Sequence, residues 1–246
     1  MSINDNNMSV FLEQVADIVG KNSLKRKSLE PLNSIPLSQN ECIFVIDFFQ
    51  NKLMYSKGFY NLLGYTDNEI TLGFIESLYH PDDVEITNRI IKASILHTLA
   101  HPEGSSNNIL FISFRLRKKD GTYIKVLSQS SIYDFDKSGQ MTSTLIRFTD
   151  ISFIDNSQNI NWDFKAPNLN KETFKQQIYK NYNSFFTVRE TEIIFEIKNG
   201  LTDKQIGKTL YISEHTVATH RKHILKKAVC HNSEQLILFC QGKGII

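Results

Sequence analysis

Two helix-start signals lie close together near the end of the chain, and they restrict the fold more than any other feature. Thr187 is followed three residues later by Glu190, and Thr202 is followed three residues later by Gln205. In such a capping box, the hydroxyl and the later side chain each bond a backbone N–H that the first helical turn leaves free. The two boxes therefore predict two short helices in quick succession.

Further signals extend this pattern to four helices over residues 184 to 246. Ser213 and Asn232 stand where the third and fourth helices should begin, and Asn199-Gly200 supplies a left-handed stop for the first. Each helix has one inward apolar stripe, which favours a compact helical core. The residues of these stripes are Ile193, Ile194 and Ile197, then Ile206 and Leu210, then Val217 and Ile224, then Leu236, Ile237 and Cys240.

The third predicted helix, EHTVATHRKHILKK, follows a tight connection around Tyr211-Ile212. This is the layout of a helix-turn-helix, in which one helix braces while the next enters a major groove about 12 Å wide. The whole chain has a net charge of only +2, so a nucleic acid must be met by a local basic patch. Four cations on this helix form such a patch: Arg221, Lys222, Lys226 and Lys227.

The outward face of the third helix follows from its inward residues. With Val217 and Ile224 turned toward the core, five residues project outward at helical steps: His215, Ala218, Thr219, Lys222 and Lys226. The histidines of this helix are spaced by five and three residues, which puts His215 off the face that His220 and His223 share. We therefore expect no metal site there.

The segment FTVRETEIIFEIKNGLTDKQIGKTLYISEHTVATHRKHILKKAV closely resembles the LuxR/GerE-type helix-turn-helix, whose pattern is LTxRExEVLxLxxxGxxxKEIAxxLxISxxTVxxHxxxIxxKL. The resemblance covers essentially all of residues 185 to 246 and implies binding to double-stranded DNA. It implies base-facing positions at Ala218, Thr219 and Lys222. It also implies contacts with phosphates, or the holding of the helix against the DNA backbone, by Lys204, Thr216, His220, Arg221 and Lys226.

Two stretches depart from this family pattern. Ala218 stands where many members have lysine, so a base contact is missing or is replaced by an apolar contact to a thymine methyl. Ala228-Val229-Cys230 replaces the usual Leu-Gly-Val at the exit of the recognition helix. These departures motivate an alternative function, a protein-interaction adaptor with a degenerate helix-turn-helix.

The middle of the chain has the pattern of an antiparallel sheet with helices. CIFVIDF and KLMYS predict a hairpin around Gln50-Asn51, and three later alternating runs predict a meander with a turn at Asp120-Gly121. Between them, residues 57 to 99 look helical in pieces. The longest piece begins at HPDD, because proline and acidic residues suit a first helical turn.

The series CIFVID, LLGYTDNEI, HPDDVE, RLRKKDGTYIKV and RFTDIS resembles a PAS domain over residues 38 to 153. The family's usual tryptophan is absent from the hairpin, where Val126 or Leu127 stands. The resemblance implies a five-stranded antiparallel sheet with helices on one face, and a role in sensing or dimerisation. Its signal would be an unknown small molecule or protein.

Two more helices are predicted outside these domains. Residues 8 to 20 place Val10, Phe11, Val15, Ile18 and Val19 mostly at helical spacing. Phe174, Ile178 and Tyr182 recur in the run KETFKQQIYKNY, and this helix packs either on its own domain or on a second copy. The predicted organisation is a helix and connector over 1–37, the PAS-like domain over 38–153, a linker over 154–184, and the helix-turn-helix domain over 185–246.

Several residues invite chemical interpretations that their context does not favour. Asp82-Asp83 starts a helix rather than forming a catalytic pair, and Asp47 lies in an antiparallel pattern unlike that of phosphoreceiver domains. Cys42 begins a strand and lacks a flavin-binding motif, while His97 stands near a helix end. We therefore expect no catalytic residues and no cofactor.

The cysteines and the lengths of the apolar segments indicate the cellular location of the protein. Cys42, Cys230 and Cys240 form an odd set without a CxxC pair, which favours a reduced protein over a disulfide scaffold. No stretch approaches the roughly 20 apolar residues that cross a bilayer. The sequence thus predicts an α+β, cytoplasmic, homodimeric DNA-binding transcription regulator that is not an enzyme.

Overall fold

The computed structural model describes residues 8–19, 26–179, 185–242 and 245–246. The chain divides into two compact units, Met1–Phe174 and Lys175–Ile246, which are described separately below. The first combines an antiparallel sheet with helices, and the second is helical. The α+β class is confirmed, while the exact domain boundaries stay predictions.

The sheet of the first unit is antiparallel, with the strand order β2-β1-β5-β4-β3-β6. The β1–β2 and β3–β4 hairpins form where the sequence predicts them. The strands are β1 (Glu41–Asp47), β2 (Lys52–Lys57), β3 (Ile109–Arg117), β4 (Tyr123–Phe135), β5 (Met141–Asp150) and β6 (Trp162–Lys165).

The sheet has six strands rather than the expected five, because β6 pairs with the edge of β3. This short strand lies within the segment expected to be a linker. Phe164 of β6 is buried opposite Leu110, whereas Lys165 is exposed. The alternation of buried and exposed residues in β6 is too short to indicate a strand in an Asn-rich segment. The pairing also depends on β3, which is distant in sequence.

The turns of the β1–β2 and β3–β4 hairpins differ in which residue has a positive φ. Asn51 has φ +48° in the first hairpin, and Gly121 has φ +86° in the second. The turn at Asp120-Gly121 forms as predicted, and of these two residues only the glycine has a positive φ. The Asp120 carboxylate instead accepts the backbone N–H of Thr122 at 2.9 Å, which closes the turn through a side chain.

Helices α2 (Phe59–Leu63), α3 (Leu72–Ser77) and α4 (Pro81–Ala100) follow the first hairpin. As predicted, α4 begins at the HPDD segment, where Nδ1 of His80 accepts the N–H of Asp82. Asp83 does more than suit the helix dipole. Its carboxylate accepts the backbone N–H of Arg115 at 2.8 Å and pairs with the guanidinium of that residue. This contact ties α4 to β3.

Helix α1 (Met8–Val19) confirms the N-terminal helix, whose expected last residue, Gly20, lies outside the described residues. Val10 and Ile18 do not belong to its buried face, because both are exposed. Met8, Phe11, Leu12, Val15 and Val19 form that face instead, and they pack in one cluster with Phe48, Ile95 and Met141.

Helix α5 (Lys171–Tyr179) confirms the predicted linker helix, although Tyr182 lies outside the described residues. The Phe174 ring is buried within the first unit. Its centroid lies 5.2 Å from that of Phe164 and 5.5 Å from that of Trp162. The start of α5 is therefore anchored on β6, which favours packing on its own domain.

Cys42, Asp47 and His97, for which the sequence analysis considered other chemistry, are buried or engaged in contacts within the first unit. Cys42 is fully buried in β1. The Asp47 carboxylate accepts the N–H of Gln50 at 2.7 Å and pairs with Arg26 at 2.8 Å. The His97 ring stacks on His101 with centroids 4.4 Å apart, and burial is the main cause that lowers its pKa.

The second unit contains the four predicted helices α6 (Val188–Lys198), α7 (Asp203–Thr209), α8 (Glu214–Ala228) and α9 (Ser233–Gly242). Both capping boxes are present. Asn232 caps α9 through its side-chain oxygen, and Gly200 ends α6 with φ +78°. The predicted inward residues form one core, and its buried members are Phe186, Ile193, Ile194, Ile197, Ile206, Val217, Ile224, Ala228, Leu236 and Cys240.

Candidate DNA-binding surface

Helix α8 is held in the second unit by its caps and its buried face. The Ser213 hydroxyl accepts the N–H of Thr216 at 3.0 Å and so starts the helix. Val217, Ile224 and Ala228 are buried in the core. Because an α-helix turns about 100° per residue, these three lie on one narrow face. The opposite face is free to meet a partner.

That opposite face carries the outward residues predicted from the sequence. At about 100° per residue they span an arc of only about 100°. All of them are exposed: His215, Ala218, Thr219, Lys222 and Lys226. The Thr219 hydroxyl donates to the carbonyl of His215 at 2.9 Å, which leaves its acceptor lone pairs and methyl group for a partner.

Two lysines supply the free charge of this face. Within the described parts of the chain, the side-chain ammonium groups of Lys222 and Lys226 have no ion-pair or hydrogen-bond partner. Lys204, on α7, is also exposed. Such ammonium groups are suited to phosphate, since they give up no internal contact on binding.

Arg221 has a different environment from the lysines. Its Nε and Nη2 donate to Oδ1 of Asp203 at 2.8 and 2.6 Å, and its Nη1 donates to Oγ of Ser233 at 2.7 Å. The side chain therefore links α8 to both α7 and α9. Its expected phosphate contact stays a prediction, and the structure adds a bracing role that the sequence did not reveal.

Lys227 is likewise used inside the unit. Its ammonium lies 2.9 Å from Oε2 of Glu190 and 5.5 Å from the centre of the Phe186 ring. Burial opposes ionisation of Glu190, but hydrogen bonds from the Thr187 backbone and from Lys227 outweigh it and lower the pKa of this carboxyl. The basic patch thus divides into two paired cations and two unpaired ones.

Two other predicted phosphate-contacting residues, Thr216 and His220, lie on α8 between its exposed arc and its buried face. Thr216 is half-buried, and its hydroxyl lies 2.8 Å from that of Ser213 at the start of α8. His220 is also half-buried. At about 100° per residue, His220 lies nearer to the buried face of α8 than to its exposed arc, so its phosphate contact stays a prediction.

The connection between α7 and α8 is fixed by backbone contacts. The N–H of Ile212 donates to the Gly207 carbonyl at 2.9 Å, and Nη2 of Arg189 donates to the Leu210 carbonyl at 2.6 Å. Tyr211, between them, has φ +57° and is 96% exposed. This left-handed residue lets the chain reverse within the few residues that a helix-turn-helix allows.

The exit of α8 is the second place where the sequence departs from the family pattern. Val229 has φ +55° and is 84% exposed, and its N–H caps the helix by donating to the Lys226 carbonyl at 3.2 Å. Glycine suits this conformation best, because a β-branched side chain clashes there with its own backbone. Val229 therefore ends α8 in a strained left-handed conformation.

Family comparisons agree with this geometry. Residues 184–240 match the model of the GerE family, described as bacterial regulatory proteins of the luxR family, and residues 52–145 match a PAS fold. The chain carries a PAS domain followed by a luxR-family helix-turn-helix. The luxR-family match includes α6, α7 and α8 in full.

Curated relatives are similar to this chain over part of its length. The uncharacterized transcriptional regulatory protein YxjL of Bacillus subtilis (strain 168) is 34% identical over 84 residues, 33% of this chain and 38% of YxjL. The nitrate/nitrite response regulator protein NarP of Escherichia coli (strain K12) is 40% identical over 62 residues, 25% of this chain and 29% of NarP. The chain thus spans about a third of the length of these relatives.

Among solved structures, the phage VqmA–DPO complex aligns with 88% of this chain and 87% of its own. Its identity is 15% and its TM-score is 0.33.

Within the described residues, the helices are all too short or too polar to span a bilayer. The same residues include no group of three or more His, Cys, Asp or Glu side chains that could hold a metal ion.

Proposed function

We propose that this chain is a transcriptional regulator that binds double-stranded DNA through α8, under the control of its PAS domain. The observation that carries the proposal is the outward face of α8, where Thr219, Lys222 and Lys226 are exposed and the two ammonium groups have no partner among the described residues. A helix with such a face fits a major groove and can neutralise phosphates on either side.

Within this proposal, the residues of α8 divide by task. Ala218, Thr219 and Lys222 face the bases, with the Ala218 methyl suited to a thymine methyl. Phosphates are contacted by Thr216, His220 and Lys226 of α8 and by Lys204 of α7, and Arg221 contributes by holding α8 against α7 and α9.

The chain is proposed to act as a cytoplasmic homodimer and not as an enzyme. One helix-turn-helix reads one half-site, and two copies related by a two-fold axis read a palindromic operator. The PAS domain is proposed to supply sensing or dimerisation. Light scattering of the full chain at several concentrations tests this, with a mass twice the 28.4 kDa of one chain expected.

Selection of bound sequences from random DNA tests the central proposal. We expect an enriched motif with two-fold symmetry, bound by the full chain in an anisotropy titration. Lys222→Ala should relax the preference at one position per half-site and weaken binding by about 1–3 kcal/mol. The matched control is Lys198→Ala on α6, whose ammonium lies over the Phe195 ring and which is not among the proposed contact residues.

The alternative function is a protein-interaction adaptor, and the observation that favours it is the departure at Ala218 together with the strained exit at Val229. An adaptor with a degenerate helix-turn-helix would enrich no DNA motif. Equal, weak binding to every duplex, unchanged by Lys222→Ala, would support that function and contradict sequence-specific regulation.

A further inference from the structure

A cavity lies inside the first unit, between the sheet and helices α3 and α4. Its volume is about 130 Å³. Phe44, Ile146 and Phe148 line it from the sheet, while Ile75 and Ile95 line it from the helices. An engineered protein cavity of roughly 150 Å³ takes up benzene, so this space suits one compact, ring-sized molecule.

Asn88, on α4, brings an unpaired acceptor to this cavity. The residue lines the cavity and is 4% exposed. Its Nδ2 donates to Oε1 of Glu76 at 3.0 Å, and because a carboxylate accepts but does not donate, this bond fixes the orientation of the amide. Among the described residues, Oδ1 of Asn88 has no partner. A buried oxygen of this kind is stabilised by any donor that reaches it.

Asn108 and Tyr79 bring further polar groups to the same cavity, beside hydroxyl groups such as that of Ser128. Nδ2 of Asn108 donates to Oγ1 of Thr98 at 3.0 Å, and Oδ1 of Asn108 lacks a partner in the described part of the structure. Tyr79 also lines the cavity, and burial raises the pKa of its phenol, which therefore stays protonated. The cavity thus combines an apolar lining with acceptors that lack donors.

The charges around the cavity restrict the occupant further. Glu76 is the one charged side chain among the described residues that line it. An anion would meet this carboxylate without a cation to compensate, and a cation would lose its hydration in a largely apolar space. The carboxylate is already hydrogen-bonded to Asn88. An uncharged occupant avoids both penalties.

We propose that this cavity binds an uncharged, largely apolar, ring-sized molecule that donates an N–H or O–H group to Oδ1 of Asn88. This inference rests on the sensory role proposed above for the PAS domain. The donor satisfies the buried oxygen, and the ring contacts the apolar walls. Met8 and Leu12 also line the cavity, so the occupant touches α1 and connects the sheet to the N-terminal helix.

Ligand-observed NMR titrations of the full chain with four probes of similar size test this proposal. The probes are p-cresol, a neutral donor; toluene, which has no donor; benzoate, an anion; and benzylammonium, a cation. We expect p-cresol to bind with a dissociation constant near a millimolar or below, about tenfold tighter than toluene, with both ions weaker than p-cresol.

Two substitutions locate the binding. Asn88→Leu should remove the roughly tenfold preference for p-cresol over toluene while leaving toluene binding in place. Asn61→Leu, at an exposed position on α2, is the matched control and should change neither affinity. Ser128→Leu fills the cavity from β4 and should abolish binding of p-cresol and toluene alike, which keeps the test valid even if Asn88→Leu does not fold.

The proposal is overturned if the wild-type chain binds none of the probes, or binds p-cresol no better than toluene. Tightest binding of an ion, or full p-cresol affinity in Ser128→Leu, would also overturn it. DNA binding is measured on the same preparations. Chain that binds DNA but no probe defeats the cavity proposal alone, whereas chain that binds p-cresol but no DNA defeats the proposed regulator function alone.

Discussion

The two units use charged side chains in opposite ways. In the first, Asp83 is 1% exposed and its carboxylate bonds both the backbone and the side chain of Arg115. In the second, Lys222 and Lys226 are exposed, and their ammonium groups have no partner in the described part of the chain. A paired, buried charge holds elements together, while an unpaired, exposed charge is free to meet a polyanion.

Helix α8 shows the same contrast within a single element. Arg221 and Lys227 are paired with Asp203 and Glu190, on other helices of the unit. Lys222, next to Arg221 in sequence, points toward the exposed face. Adjacent cations of one basic run thus have different tasks, and a charge count alone does not separate them.

The largest expected effect lies in the buried pair. Asp83→Ala should lower the free energy of unfolding of the first unit by about 3–5 kcal/mol, because Arg115 and its backbone N–H lose their partner. Urea unfolding followed by circular dichroism measures it. Asp82→Ala is the matched control, since the Asp82 side chain is 75% exposed, and it should change stability little. Equal losses of stability from both substitutions would show that the buried pairing of Asp83 does not hold the first unit together, and would contradict the contrast with the exposed lysines of the second unit.

The next effect concerns Arg221. Arg221→Ala should lower the free energy of unfolding by about 1.5–3 kcal/mol, through loss of the bonds to Asp203 and Ser233. DNA affinity should fall mainly because less of the second unit is folded, so stabilising conditions should restore it. Full stability combined with a large, unrestorable loss of DNA binding would instead make Arg221 a direct phosphate ligand.

How far the sequence predicted the structure depends on the range of each interaction. Caps and turns act within a few residues, so the boxes at Thr187 and Thr202 and the hairpin at Gly121 could be found from local patterns. Inward stripes such as Val217 and Ile224 follow from helical periodicity.

The remaining features depend on contacts between distant residues. The pairing of β6 with β3, the bond of Asp83 to Arg115 and the ion pair of Lys227 with Glu190 join segments far apart in sequence. A single sequence carries no signal for such pairings, because either partner could equally well face solvent. This is why the basic patch was predicted as a whole, and its division into paired and unpaired cations was not.

A smaller effect concerns backbone strain rather than charge. Val229→Gly should raise the free energy of unfolding by about 0.5–1 kcal/mol, since glycine adopts positive φ without the clash of a β-branched side chain. Leu238→Gly, at another exposed position but inside α9, should lower it by about 1 kcal/mol. If both substitutions destabilise equally, Val229 is not strained.

The salt dependence of DNA binding tests most directly the claim that unpaired cations on α8 meet phosphates. The double variant Lys222→Ala and Lys226→Ala is compared with Lys227→Ala by anisotropy titration on one selected duplex at several salt concentrations. The double variant should reduce the slope of log affinity against log salt by about 0.9, because it removes the proposed phosphate contact of Lys226, while Lys227→Ala leaves the slope unchanged. A slope that falls with Lys227→Ala and stays constant in the double variant would contradict the account.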